Sequence, residues 1–290
     1  MKKGKTKSIM SPLKVLYIAE QAAKFKDFAV PQAVIELMRT ASKPEKISEL
    51  TAPQVWQELK FALQQKFPWR FFEVLHECGA LKIIFPEIDG LFGIPNPVEY
   101  HPQIDTGIHI MLALQVISKL TDDVQIRFAV LVHDFGKLTT PKSLWPSHYK
   151  HEERGVEIVK QFCQRLRVPP EYQDFAILVT RYHGSCNNVL KFGPKGVLRL
   201  LKSLDAYQNF ERFKKILLAC TADIRGRTGL ENKPYPQAEF LTEVYKRCTA
   251  VRTHDLVKVT TDSERRKVED KVHKKCLQIV RKVRQQFFSS

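Results

Sequence analysis

Apolar residues return along most of this chain at every third or fourth position, the spacing that gathers them on one face of an α-helix. Val15, Leu16, Ile18, Ala19, Ala22 and Ala23 form the first such stripe, and Val34, Ile35, Leu37 and Met38 form a second within residues 31–39. Ser48 or Thr51 offers a cap to a third, through Val55, Leu59, Leu63 and Phe67, and Phe71, Val74, Leu75 and Cys78 carry a fourth that stops at Gly79. Pro86, Gly90, Gly93, Pro95, Pro97 and Pro102 then punctuate residues 85–101, which read as a loop-rich connector and a domain boundary. Beyond it the pattern predicts helices over 109–120, 124–135, 152–166, 170–182, 195–204, 210–224 and 236–248. Asp122 is the expected cap of the second of these, and Gly136 its stop. Val268, Val272, Cys276, Ile279, Val283 and Phe287 make the seam of a last long helix. The expectation is an all-α chain: a basic N-terminal segment over 1–10, a helical neck and body over 11–92, a helical bundle over 93–250, and a basic helix over 251–290.

Composition agrees with that picture. Hydrophobic residues make up 43% of the 290, enough for a sizeable core, and 12 Gly are few for a many-stranded sandwich or barrel. Charge adds something the pattern cannot. The net charge is +16, and the stretch from Lys258 onward holds ten Lys or Arg against four Asp or Glu, a net of +6. Lys2, Lys3, Lys5 and Lys7 crowd the other end. Such clustering favours a polyanionic partner, RNA or a phosphorylated ligand, over an ordinary soluble surface. The six cysteines form no C-x-x-C pair and read as reduced core thiols. Neither an apolar signal segment nor an uninterrupted apolar run of membrane length is present, so the expected compartment is the cytoplasm.

Candidate chemistry centres on two adjacent residues. His133 and Asp134 end the apolar run Ile126-Arg-Phe-Ala-Val-Leu-Val132, where an imidazole and a carboxylate are costly unless paired or bound to metal. His254–Asp255, flanked by Arg252 and Lys258 in an unpatterned stretch, reads as surface. His109 opens the preceding helix, and Asp223 follows the apolar run Ile216-Leu217-Leu218-Ala219. Two His and two Asp make a mixed nitrogen and oxygen donor set, suited to Mn, Fe, Ni, Zn or Mg.

The order His109, His133-Asp134, Asp223 resembles the H…HD…D signature of the HD superfamily of metal-dependent phosphohydrolases. Longer strings are more specific. His101-Pro-Gln-Ile-Asp-Thr-Gly-Ile-His109, His133-Asp-Phe-Gly-Lys137, Cys163-Gln-Arg-Leu-Arg-Val-Pro169 and Ala222-Asp-Ile-Arg-Gly-Arg-Thr-Gly229 look like the HD domain of bacterial CCA-adding enzymes, the tRNA nucleotidyltransferases. Ser11-Pro-Leu-Lys-Val-Leu16 and Phe85-Pro-Glu-Ile-Asp-Gly-Leu-Phe92 are similar to the neck and body of the same enzymes, so the resemblance spans about residues 11–250. It implies that His109, His133, Asp134 and Asp223 are ligands of a divalent metal ion. It also implies that His133, Asp134 and Lys137 are catalytic, and that Lys137, Arg225 and Arg227 bind phosphate. His151 and His183 would hold a second metal or touch substrate, with ordinary capping as the alternative, and His148 is a weaker candidate. The implied reactions are hydrolysis of 2′,3′-cyclic phosphates, 2′-nucleotides and phosphomonoesters.

The family's nucleotide-adding chemistry uses a pair of aspartates spaced D-x-D, and no D-x-D occurs in this sequence. Where the family's neck repeats arginines, Ser11, Lys14, Tyr17 and Glu20 stand here, and Pro53-Gln54 replaces the Glu-Arg that reads the incoming nucleotide. The expectation is a relative without the nucleotidyltransferase head, hydrolysing nucleotides or RNA ends and capable of forming an oligomer. The alternatives are a non-catalytic tRNA- or RNA-binding module, or a subunit partnering a separate head.

Overall fold

The computed structural model describes residues 10–97, 105–256 and 262–289. Lys2, Lys3, Lys5, Lys7, Lys258 and the His101–Ile104 part of the long motif lie outside them, as do the side chains of His254 and Asp255.

Seven helices build the N-terminal part: α1 (Pro12–Lys24), α2 (Gln32–Ala41), α3 (Pro44–Ile47), α4 (Ala52–Gln64), α5 (Trp69–Glu77), α6 (Leu81–Ile84) and α7 (Pro86–Asp89). Eight follow: α8 (Thr106–Leu120), α9 (Val124–Val132), α10 (His151–Leu166), α11 (Pro170–Asn187), α12 (Pro194–Ser203), α13 (Phe210–Arg225), α14 (Pro236–Leu256) and α15 (Asp262–Ser289). Among the described residues there is no strand, only an isolated bridge between Pro95 and Asp105. The chain is all-α.

Local chemistry explains the starts. Ser11 Oγ accepts from the Lys14 amide at the head of α1, and the Thr51 amide and hydroxyl both donate to Gln54 Oε1 at the head of α4. Gln54, where the family resemblance leads one to expect an arginine, is therefore a cap here. Asp105 serves twice: Oδ1 accepts from Ile108 N to start α8, and Oδ2 accepts from Gly93 N, tying down the turn that follows α7.

Several boundaries differ from expectation. Asp123, not Asp122, caps α9, its Oδ1 accepting from Gln125 N at 2.9 Å, while Asp122 reaches Arg127. α9 stops at Val132 rather than at residue 135, and Phe135–Thr139 continues as a 3-10 turn. α11 runs through Gly184 to Asn187, so His183 lies within its last turn instead of beyond its end. The stretch after Phe85 begins with α7, so it is more ordered than a loop-rich reading implies. The last helix buries Val272, Cys276, Val280 and Val283, the expected seam with Val280 where Ile279 was expected.

α9 is the central element, packing against α4, α8, α11 and α13. Every residue from Ile126 to Val132 is buried, which is why its sequence shows no polar face. Burying each large aliphatic side chain there contributes roughly 1.5–3 kcal/mol. Trp56 of α4 meets Phe128 of α9 and Tyr172 of α11 edge-on, and Phe128 stacks near Phe162 of α10. The hydrophobic core thus runs without a break from Val15 to Val283. α15 lies along α12 and α14, with Arg284 donating to the carbonyls of Leu190 and Phe192.

Candidate metal centre

Five helix ends converge where α9 terminates. His133 is the C-cap residue of α9 and Asp134 begins the turn after it. α8 brings His109 in its first turn, α13 brings Asp223 in its last, α10 starts with His151, and the last turn of α11 carries His183. All except His151 are buried, and that imidazole is only 16% exposed.

The imidazoles share one arrangement. His109 Nδ1 donates to Gly226 O at 3.3 Å, His133 Nδ1 to Val130 O at 2.8 Å, His151 Nδ1 to His148 O at 3.1 Å, and His183 Nδ1 to Thr180 O at 3.0 Å. A main-chain carbonyl can only accept, so each Nδ1 carries the proton and each Nε2 presents a lone pair. All four lone pairs face the same two carboxylates. Asp134 Oδ2 lies 3.4 Å from His133 Nε2 and 3.7 Å from His109 Nε2, while its Oδ1 lies 3.2 Å from His151 Nε2 and 3.7 Å from His183 Nε2. Asp223 Oδ1 stands 3.2 Å from His109 Nε2 and 3.7 Å from His133 Nε2. Asp134 therefore bridges two pairs of histidines.

Lone pairs and carboxylate oxygens facing one another in a buried space repel unless a cation lies among them. His133 Nε2 and Asp134 Oδ1 are buried without a hydrogen-bond partner of good geometry, and the ligand atoms of His109, His133 and Asp223 all lie within 4.8 Å of one another. His133, Asp134 and His183 form a second such group, and His151, Glu152 and His183 a third. Imidazoles whose other nitrogen is fixed by a backbone carbonyl are the usual form of metal-ligating histidine. The donor set fits a divalent cation.

The electrostatics point the same way. Burial disfavours the charge on Asp134, but Lys137, His133 and His151 outweigh it and hold the carboxyl well below its ordinary range. For Asp223 burial is likewise overcome, by Arg227, His109 and His133. Both carboxylates stay ionised. Burial lowers the His109 pKa, and burial together with the charge on His133 lowers that of His183 to about 4, so both present neutral rings at pH 7. His133 alone is raised: burial opposes its charge, but Asp134 and Asp223 prevail and draw a positive charge, a proton or a metal ion, to its Nε2.

Around these groups stands a supporting layer that sequence reasoning missed in part. Lys137 Nζ donates to Asp134 Oδ2 and to Asn96 Oδ1, both at 2.8 Å, and Thr106 Oγ1 reaches Asn96 Oδ1 at 3.2 Å. Asn187 Nδ2 donates to Asp223 Oδ2 at 2.6 Å, and Tyr235 OH donates to Asn187 Oδ1 at 2.8 Å. Neither asparagine carries a local signal in the sequence, because its partner lies tens of residues away. The two arginines proposed for phosphate part company. Arg227 NH2 sits 3.6 Å from Asp223 Oδ1, whereas Arg225 Nε donates to Lys233 O in the turn after α13. His148 is 1% exposed and donates from Nε2 to Pro95 O, shaping the loop instead of joining the cluster. Gly136 has a packing role beyond stopping a helix: a Cβ there would stand 1.8 Å from the His151 carbonyl oxygen, so only glycine lets α10 approach.

Residues 106–209 match the family model for the HD domain. The chain therefore carries a segment that matches the HD domain, and most of its length is similar to multifunctional CCA proteins. Residues 27–91 match a second model, described as the probable RNA and SrmB-binding site of polymerase A. Relatives include the multifunctional CCA proteins of Thioalkalivibrio sulfidiphilus, 46% identical over 248 residues, and of Nitrosococcus oceani, 47% identical over 248 residues; each alignment covers 85% of this chain. That of Vibrio campbellii is 39% identical over 270 residues, 90% of this chain. The chain spans 61%, 60% and 66% of the lengths of these three relatives. No helix among the described residues is long and apolar enough to cross a membrane.

Proposed function

We propose that this chain hydrolyses phosphate esters of nucleotides or RNA ends at the buried His and Asp cluster, with a divalent metal ion. The candidate substrates are 2′,3′-cyclic phosphates, 2′-nucleotides and phosphomonoesters. The observation that carries the reading is the convergence of four Nε2 lone pairs on two ionised carboxylates, with every Nδ1 proton turned away to a carbonyl. His109, His133, Asp134 and Asp223 would hold the ion, with His151 and His183 as further ligands or substrate contacts. Nitrogen and oxygen donors together suit Ni, Mn, Mg, Fe or Zn. Such an ion, when bound, supplies Lewis acidity that activates water and neutralises charge on a phosphoryl oxygen.

The chain's own groups do the rest. Lys137 spends two of its three N–H donors on Asp134 and Asn96, which fixes the ammonium and leaves one for a phosphoryl oxygen. Arg227 adds a second cation beside Asp223, with a planar fork suited to two phosphate oxygens. His151 is the most accessible imidazole; its Nδ1 is held by His148 O, so its Nε2 is poised to accept or return a proton.

The test is turnover of 2′,3′-cyclic AMP and p-nitrophenyl phosphate with added Ni²⁺, Mn²⁺ or Mg²⁺. Metal-dependent activity that His133→Ala abolishes is expected; no such activity with any of these ions overturns the reading.

RNA is the proposed partner in addition. The match over residues 27–91 and the net charge of +16 support it. A tRNA titration at two salt concentrations should show a steep loss of affinity with salt, whereas a flat response would remove phosphate-backbone contacts from the account.

A further inference from the structure

His151 belongs to two places at once. Its Nε2 faces Asp134, and the residue also lines a neighbouring cavity of about 800 Å³, together with Tyr149, Glu152, Arg181, Tyr182 and Ser185. That volume is far more than a phosphate group needs and lies within the usual size of a small-molecule site.

The loop in front of the cavity is held under strain. His148 and Lys150 have φ of +49° and +58°, the left-handed region that bulky residues rarely adopt, and Tyr149 stands between them with 67% of its surface exposed. Two hydrogen bonds end on the loop's carbonyls and two more brace the side chains around it. His148 Nε2 donates to Pro95 O at 2.7 Å, and His151 Nδ1 donates to His148 O. Arg154 donates to Tyr149 O at 2.7 Å and, with its other nitrogen, to Thr140 Oγ1 at 2.8 Å. A fixed backbone carrying a solvent-facing aromatic ring is what a stacking platform for a nucleobase requires.

Charge decides between a base and a second phosphate. Lys150 and Arg181 are matched by Glu152 and Glu153 on the same walls. A balanced set of donors and acceptors suits the edge of an uncharged heteroaromatic ring better than another anion. Glu152 is drawn close by Gly184, where a Cβ would stand 2.2 Å from its Oε1.

We propose that this cavity is a nucleobase subsite, with Tyr149 as the stacking surface, so that the ester cleaved is that of a nucleoside and not of a simple alcohol. The inference takes its reaction from the phosphoester reading, but its binding claim is independent of turnover.

Two measurements on the full chain separate the ideas. The first compares kcat/KM for adenosine 2′,3′-cyclic phosphate with that for glycerol 1,2-cyclic phosphate, which has the same strained ring and no base. The second compares binding of adenosine 2′-monophosphate and inorganic phosphate by calorimetry. The nucleoside compound should be favoured in both, Tyr149→Ala should cut each preference about tenfold, and Tyr149→Phe should retain it. A binding preference that Tyr149→Ala removes, in a protein with no turnover, sinks the hydrolase reading and keeps the subsite. Turnover without a base preference, or a preference indifferent to Tyr149→Ala, sinks the subsite and keeps the hydrolase.

Discussion

Arg127→Met would remove a guanidinium that is 1% exposed and donates to four main-chain carbonyls. Two belong to the end of α4, Leu63 O at 2.7 Å and Gln65 O at 2.9 Å. Two belong to the end of α8, Ser118 O at 3.1 Å and Thr121 O at 2.8 Å. A fifth bond, to Asp122 Oδ1 at 2.7 Å, has the form of an ion pair, yet the Asp122 side chain is 99% exposed. Water and salt screen such a contact to about 1 kcal/mol or less. The carbonyls matter more, since each one left buried without a donor costs about 1–3 kcal/mol. Part of that loss is offset, because burial itself disfavours the arginine's charge and lowers its pKa. The net expectation is a loss of about 3 kcal/mol, the low end for breaking a buried charged network. In a thermal melt that corresponds to roughly 5–10 °C. Asp122→Ala should cost under about 1 kcal/mol. Arg127→Lys should also fall short of wild type, because an ammonium cannot span both helix ends as the planar fork does. Equal losses for Arg127→Met and Asp122→Ala, or a Lys variant as stable as wild type, would refute the view that carbonyl capping locks α4 to α8.

Asn187→Ala leaves the proposed ligands in place but frees Asp223 to turn. Calorimetric titration with Ni²⁺ or Mn²⁺ should show affinity reduced by about 10–100-fold; a change within twofold would mean that Asp223 needs no such support. Glu58 tests the neck. Its Oε2 is buried without a hydrogen-bond partner, and burial, then the charge of Glu20, raise its pKa above the model-peptide value despite Lys24. A carboxyl whose folded pKa is raised destabilises the fold above that pKa and stops doing so once pH falls below 4.5, where the unfolded chain is protonated too. Glu58→Gln should therefore gain stability at pH 7, by less than about 1 kcal/mol for a half-buried group partly screened by solvent, and lose the advantage toward pH 4. Urea titrations at both pH values check the sign, and a gain that grows on acidification would contradict it.

The helical spacing of apolar residues determined the all-α class and most element positions, because an amphipathic face is written locally every three to four residues. The pairing of histidine with aspartate after a stretch in which six of seven residues are apolar marked the centre for the same reason: polar groups there are expensive, and the expense is visible in one dimension. What the sequence could not carry is distance. Asn187 supports Asp223 across 36 positions, Arg127 reaches Leu63 O across 64, and His109 meets the Gly226 carbonyl across 117. None of these has a local pattern. The Asp122 and Asp123 exchange of roles shows the limit at short range, since two adjacent carboxylates are equivalent as text and only the direction of the chain decides which one faces the free amide and which one faces Arg127. The tertiary structure also decided which nitrogen each histidine offers. Backbone carbonyls of neighbouring turns take the Nδ1 protons, and that leaves four Nε2 lone pairs and two carboxylates in one buried space. The residues of the centre are legible in the sequence, whereas the electrostatic need for a cation among them arises only when the five helix ends meet.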